Sequence, residues 1–395
     1  MRQSLRLAGE PIAPPPGPPV LAMGFRPFFL AAAFFGAIVM PLWLVMFAGA
    51  LGPGGGLPPT WWHAHEMLLG YTGAVLAGFL LTAVRNWTGG HFTAANGSLA
   101  ALVALWALGR VAHAPGVAGG WWSALPDVAW LLGTTVAIGR PLLRKGSRRN
   151  YGFLVALPML AASSLGLHLA LGAGWALRPS LDVPVAVIAA VMAVVAGRIV
   201  PMFTRNALEL EPRRIEPLER VLPSVLGAVV VVAALDLPAM VEGAVLLTAG
   251  AALLVRMTGW NSLATLRAPI LWILHIGHAW VGVGLALQGA ASFGWAPPSA
   301  GLHAITAGAI GSLTLGMMAR VSLGHTGRVL RVHGSISVAF GMMVLAGLLR
   351  VSAPFLGTPR MMLDSAGTLW SLSLILFLVV YTPILFRPRA DGKPG

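Results

Sequence analysis

WWHAHEMLLGYTGAVLAGFLLTAVRNWTGG, residues 61–90, is the stretch whose reading decides the fold. From Met67 to Val84 the only side chains with a hydrogen-bonding group are Tyr71, Thr72 and Thr82. A helix this apolar and this long spans a bilayer. At its mouth stand two imidazoles and a carboxylate, His63, His65 and Glu66. Ionisable groups at membrane depth are expensive, so by default they mark a functional site. Trp61 and Trp62 beside them fit an interfacial aromatic belt, in which the histidines would be merely wetted. Three ionisable groups within four residues speak against that bland reading, because each needs a partner or water.

The rest of the 395-residue chain repeats the pattern of the opening stretch. Hydrophobic residues make up 57% of it and charged residues 10%, a balance that no soluble core of this size accommodates. The expected fold is an all-α polytopic membrane bundle of twelve transmembrane helices. Its spans fall near 27–51, 63–84, 97–113, 121–143, 151–176, 183–204, 218–237, 240–259, 268–291, 300–320, 333–353 and 361–386. The break between the seventh and eighth rests on Asp236-Leu237-Pro238 alone. Residues 1–24, with PIAPPPGPP at 11–19, are expected to be a disordered cytoplasmic tail. A single membrane domain follows over 25–387, and 388–395 form a short C-terminal tail.

The formal net charge of +14 raises nucleic acid as a partner, but its distribution answers otherwise. With the N-terminus inside, 22 of the 26 Lys and Arg fall on the cytoplasmic side. Only Arg110, Arg178, Arg350 and Arg360 fall on the other. That asymmetry is the positive-inside rule, and it places both termini in the cytoplasm. There is no cysteine, which excludes disulfides, iron–sulfur clusters, thiolate-ligated haem and any CxxCH haem attachment. A transition metal must be held by His, Met, carboxylate or Tyr.

Ten histidines are present, and depth sorts them. His63, His65 and His303 lie at outer span ends, His275 and His278 within span nine, His168 in the outer half of span five, and His113 at the outer end of span three. His91, His325 and His333 belong to cytoplasmic loops or helix ends. His275 and His278, at i and i+3, share one helix face and could hold one ion or flank one porphyrin edge. They could equally cap hydroxyls or carbonyls between helices. His63 and His65, at i and i+2, point about 200° apart on a regular helix and could serve two centres. Arg198, Arg205, Arg320 and Arg328 near inner helix ends read as lipid-facing anchors, or as partners for haem propionates. A faint internal echo links His63-Ala64…Thr88-Gly89 to His303-Ala304…Thr326-Gly327.

Five ordered motifs now carry a resemblance. GFRPFFLAAA (24–33), WWHAHEMLLGYTGAVLAGFLLTA with the following NWTG, GRIVPMFTRN (197–206), HIGHAW (275–280) and HAITAGAIGSLTLGMMARVSLGHTGR (303–328) resemble the NnrS family from Gly24 to the last span. Arg85 departs from the family pattern, which has proline before NWTG. The resemblance implies a twelve-helix bacterial inner-membrane protein containing haem b and copper and linked to nitric oxide tolerance. By motif it points to His63, His65, Glu66, His275, His278 and His303, and less directly to His325.

The function expected on this basis is nitric oxide binding and reduction at a haem–copper centre. Metal ligands would come from His63, His65, His275, His278 and His303, with His65 and His303 on haem and His63 with His275 and His278 on copper. Arg198 and Arg320 would support the cofactor, and Glu66 and Tyr71 would carry protons. Electrons would come from a quinol or a cytochrome. The competing classes are a non-catalytic nitric oxide, haem or copper carrier or sensor and a twelve-helix secondary transporter.

Overall fold

The computed structural model describes residues 17–90, 93–235 and 237–393. His91, Asp236 and residues 1–16 of the tail expected over 1–24 lie outside the described residues. From Gly17 the chain is folded: Pro19–Leu21 form a 3-10 turn and Met23 is buried.

Twelve helical rods follow one another up and down. They are α1 (Phe25–Phe47), α2 (Pro59–Trp87), α3 (Asn96–Ala112), α4 (Leu125–Lys145), α5 (Gly152–Ala173) and α6 (Pro179–Leu208). The second half comprises α7 (Glu216–Ala234), α8 (Ala239–Met257), α9 (Pro269–Ser292), α10 (Pro298–His325), α11 (Gly334–Ser352) and α12 (Arg360–Leu385). Among the described residues the only β-pairing is two isolated bridges at Gly54. Proline opens α2, α6, α9 and α10, where its missing N–H costs nothing. Ten of the twelve rods are long and apolar enough to cross a membrane, and the chain is a polytopic membrane bundle. The exceptions are α3, only 17 residues long, and α4, which carries Asp127, Arg140, Arg144 and Lys145. α7 ends at Ala234 and α8 begins at Ala239, on either side of the break the sequence places there.

Two rods form the centre. Of the membrane-spanning residues, 83% are buried in α2 and 78% in α10, against 61% or less in the other spanning rods. Both share one irregularity. Each begins as an α-helix, loosens into a seven-residue π-helix at Glu66–Thr72 or Ala304–Ile310, and resumes as α-helix at Gly73 or Gly311. In α2 the widened turn is tied by Thr72, whose hydroxyl donates to the Met67 carbonyl at 2.8 Å. The two rods match in one register: Gly70 with Gly308, Gly73 with Gly311, Gly78 with Gly316, Thr88 with Thr326. Both threonines donate to the carbonyl four residues back, at 2.8 and 2.6 Å. The internal echo is therefore a structural repeat. Its register pairs His65, and not His63, with His303.

Around this centre small residues let backbones meet. A methyl group on Gly250 would lie 2.6 Å from the Gly282 carbonyl, and one on Gly289 would lie 2.8 Å from that of Gly243. Those contacts seam α8 to α9 in the way membrane helices favour, through small side chains.

Candidate metal and cofactor site

The end of the bundle where α2 begins is poor in cations, and two polar assemblies are built there on opposite sides of α2.

The first gathers side chains from four consecutive helices. His65 of α2, His113 at the end of α3 and His168 of α5 are all buried, and each offers a ligand nitrogen within 4.8 Å of the others. His65 Nδ1 lies 2.8 Å from Glu66 Oε1, and its Nε2 lies 3.1 Å from Ser164 Oγ. His113 Nδ1 donates to the Gly109 carbonyl at 2.7 Å, so its Nε2 carries the lone pair. That nitrogen faces His168 Nε2 at 2.9 Å. Two ring nitrogens this close need a proton or a cation between them.

The carboxylates around the trio are oriented by one arginine. Arg110 of α3 donates to Glu66 Oε1 at 2.6 Å and pairs with Asp127 of α4, which also accepts from Trp130 Nε1 at 3.0 Å. Two buried carboxylates against one guanidinium leave the cluster one negative charge in excess. Asp127 Oδ2 has no hydrogen-bond partner; it lies 3.5 Å from His65 Nε2 and 3.9 Å from His113 Nδ1. An unpartnered buried carboxylate oxygen beside three imidazoles is a donor set that lacks its cation. Imidazole nitrogens with one carboxylate oxygen suit a first-row transition ion such as copper or zinc. The Glu66–His65 and Gly109–His113 contacts are the outer hydrogen bonds that fix a ligand's tautomer.

The second assembly is a cavity enclosing about 1320 Å³ of space, its open mouth included, among α1, α2, α6, α10, α11 and α12. His63 and His303 both line it. His63 stacks on Trp43 with ring centroids 4.2 Å apart, and His303 Nδ1 donates to the Ser299 carbonyl at 2.7 Å, which turns Nε2 into its ligand atom. Four nitrogens on cavity-lining residues are buried and unpartnered: His63 Nδ1, Trp43 Nε1, Trp370 Nε1 and Arg350 Nη1. A void edged by two imidazoles and such donors fits a large flat ligand with anionic groups, as a porphyrin dicarboxylate is.

The remaining expected site residues stand elsewhere. His275 is bracketed by Thr204 Oγ1 at 2.9 Å and Ser262 Oγ at 2.8 Å. His278 packs against Trp260, centroids 4.5 Å apart, with neither ring nitrogen in a well-formed hydrogen bond. The two share the Trp260 face, but His63 is not with them. His65 and His303 are likewise in different assemblies. Arg198 reaches Asn150 Oδ1 at 2.8 Å and the Arg149 carbonyl at 2.9 Å, and Arg320 lies over the Phe203 ring at 3.7 Å. Both arginines bind helices together at the arginine-rich end, and neither lines the cavity. Arg350, held through Nη2 to Ser299 Oγ at 3.2 Å, lines the cavity together with Arg178, at the opposite end of the bundle. Tyr71 is buried behind Trp370, its hydroxyl 2.7 Å from Thr314 Oγ1. His325 contacts Phe25, and His333 caps α11 through Ser335.

Sequence reading placed His113 and His168 at the right depth without joining them to a site. The available signal was the run of polar residues at one depth on four successive helices: His65 and Glu66, Arg110 and His113, Asp127, and His168.

Among family models the chain matches the one described as NnrS protein, over residues 19–389. No curated protein matches it.

Proposed function

The chain belongs to the NnrS family, membrane proteins linked to nitric oxide metabolism, and from that premise we propose that it holds haem b and copper and reduces nitric oxide. The balance is two NO, two electrons and two protons to N2O and water. The observation that carries the reading is the placement of His63 and His65. Two residues apart on α2, they face the cavity and the trio respectively, so one helix serves both centres.

His63 and His303 would hold the haem, and His65, His113 and His168, with Asp127 near, would hold the copper. When bound, the pair of metals supplies the sites at which nitric oxide is gathered and receives electrons. The protein's own work is positioning. Arg350 Nη1 meets an anionic edge of the ligand, and the Trp43 ring braces His63. Glu66 accepts the His65 Nδ1 hydrogen bond and so leaves the lone pair on Nε2, where Ser164 Oγ now stands at 3.1 Å, and the same carboxylate is the group through which protons exchange with the cluster. Buried, mostly apolar walls suit an uncharged gas that partitions into lipid. The charge asymmetry supports an orientation in which this end of the bundle meets the outer face of an inner membrane and both termini are cytoplasmic. Electrons come from a quinol or a partner cytochrome.

The test is an optical spectrum with metal analysis of the purified protein, followed by N2O measurement with an electron donor. A Soret band that shifts with nitric oxide, stoichiometric copper and steady N2O production are expected. The same spectrum without turnover would leave a carrier or sensor. A colourless, metal-free protein would overturn both readings.

A further inference from the structure

A second void lies deeper, between α2, α6, α9 and α10, with a cavity volume of about 80 Å³. It is lined by carbon. Its only hydroxyls are those of Thr72 and Thr314, and both are engaged, Thr72 with the Met67 carbonyl and Thr314 with Tyr71 and the Ile310 carbonyl. A water there would find no partner, and apolar cavities of this kind stay dry while accepting apolar gases.

Its position is as informative as its lining. α2 and α6 scarcely touch along their lengths, and the half-exposed side chains of Val191, Met192 and Val195 border the gap. The mouth therefore opens to hydrocarbon. On the other side the void abuts the histidine cavity. Thr72 lines both, and on α6 and α10 the two linings are one turn apart, Val185 beside Ile188 and Ile310 beside Leu313. A path from lipid to His63 and His303 thus crosses apolar wall and the Thr72 position.

We propose that this void binds a small uncharged gas drawn from the bilayer and is the antechamber of the histidine cavity; that the gas is nitric oxide rests on the function proposed above. A lipid or isoprenoid chain would enter the same mouth, but it would fill the void and leave no room for gas.

Xenon is the probe, since it needs neither metal nor turnover. Crystals or reconstituted particles of the whole protein under xenon pressure should show xenon between Ala196 and Leu313. Ala196→Phe, which fills the void, should abolish that occupancy. Met192→Trp at the half-exposed mouth serves if the first variant fails to fold. In metal-loaded protein either variant should slow nitric oxide uptake several-fold while leaving the resting spectrum unchanged. An empty void under xenon, or an ordered acyl chain in its place, overturns the proposal. So does uptake that is unchanged when the void is filled. Because xenon occupancy is read without haem, a protein that never reduces nitric oxide would defeat the proposed function and leave this site standing.

Discussion

At the scale of single residues, the two assemblies can be separated by substitution. His168→Ala removes a trio ligand without touching the cavity, so copper should fall well below stoichiometric while the Soret band persists. His303→Ala should do the reverse. Loss of haem in His168→Ala with copper retained would invert the assignment. Arg350→Ala should weaken haem retention, and Arg350→Lys should restore part of it because a point charge keeps the pairing and loses the fork. Arg198→Ala, at the other end of the bundle, should change neither metal. Arg110→Ala leaves the two buried carboxylates Glu66 and Asp127 without their guanidinium, and uncompensated buried charge costs about 3–5 kcal/mol. A clear drop in thermal stability should therefore accompany any metal loss. The divergence of His63 and His65 was readable from sequence, because i and i+2 diverge on any helix, and the structure turns them to different assemblies. Sequence grouped His63 with His275 and His278 and His65 with His303, groupings the structure separates, because which helix lies on which side of α2 is a packing result that spacing does not contain. His275 illustrates the point: its i+3 neighbour suggests a chelate, whereas Thr204 and Ser262 from other elements already satisfy both its nitrogens.

At the scale of elements, the π-helical turn of α2 sets where both histidines point. The widened turn absorbs one extra residue, so deleting Leu69 should restore ordinary pitch with the Pro59–His65 segment facing nearly as before and both metals retained. Deleting Leu68 as well would rotate that segment by about 100° against the rest of the rod, taking His63 out of the cavity and His65 out of the trio, and should abolish both metals. Loss of both metals in the single deletion would overturn this account of the turn. Thr72→Val removes only the hydroxyl tie to Met67 and should cost about 1 kcal/mol. None of this was legible in sequence, since a widened turn keeps the composition of an apolar helix. What was legible was the echo between α2 and α10. The glycines explain its register: a methyl on Gly70 would meet Arg110 and Phe35 at 2.6 Å, and one on Gly308 would meet Trp280 at 2.6 Å.

For the whole molecule, span count and charge asymmetry were readable because both follow from the bilayer and not from side-chain packing. Alkaline phosphatase fused after Gly55 or Ala118 should be active, and fused after Ser147 inactive. An active fusion at Ser147 would place the histidine assemblies on the cytoplasmic side. The few cations at the other end are also accounted for. Arg110 orients the trio, Arg178 and Arg350 line the cavity, and Arg360 pairs with Asp364 at 2.8 Å.

The ion pairs of the trio also bear on how the chain enters the bilayer. Glu66, Arg110 and Asp127 sit on α2, α3 and α4, and the latter two helices are the ones not apolar enough to cross by themselves. A lone charge in lipid is costly on insertion, most at a helix centre and less near the helix ends where these three stand. Leaving the translocon one by one, these helices would each meet lipid with an unpaired charge. Because they are consecutive, Glu66 can wait for Arg110 and Arg110 for Asp127 inside the translocon. The three helices then partition together with one residual negative charge in place of three lone ones, and the carboxylates beside His65 and His113 are oriented before the second half of the protein has been synthesised.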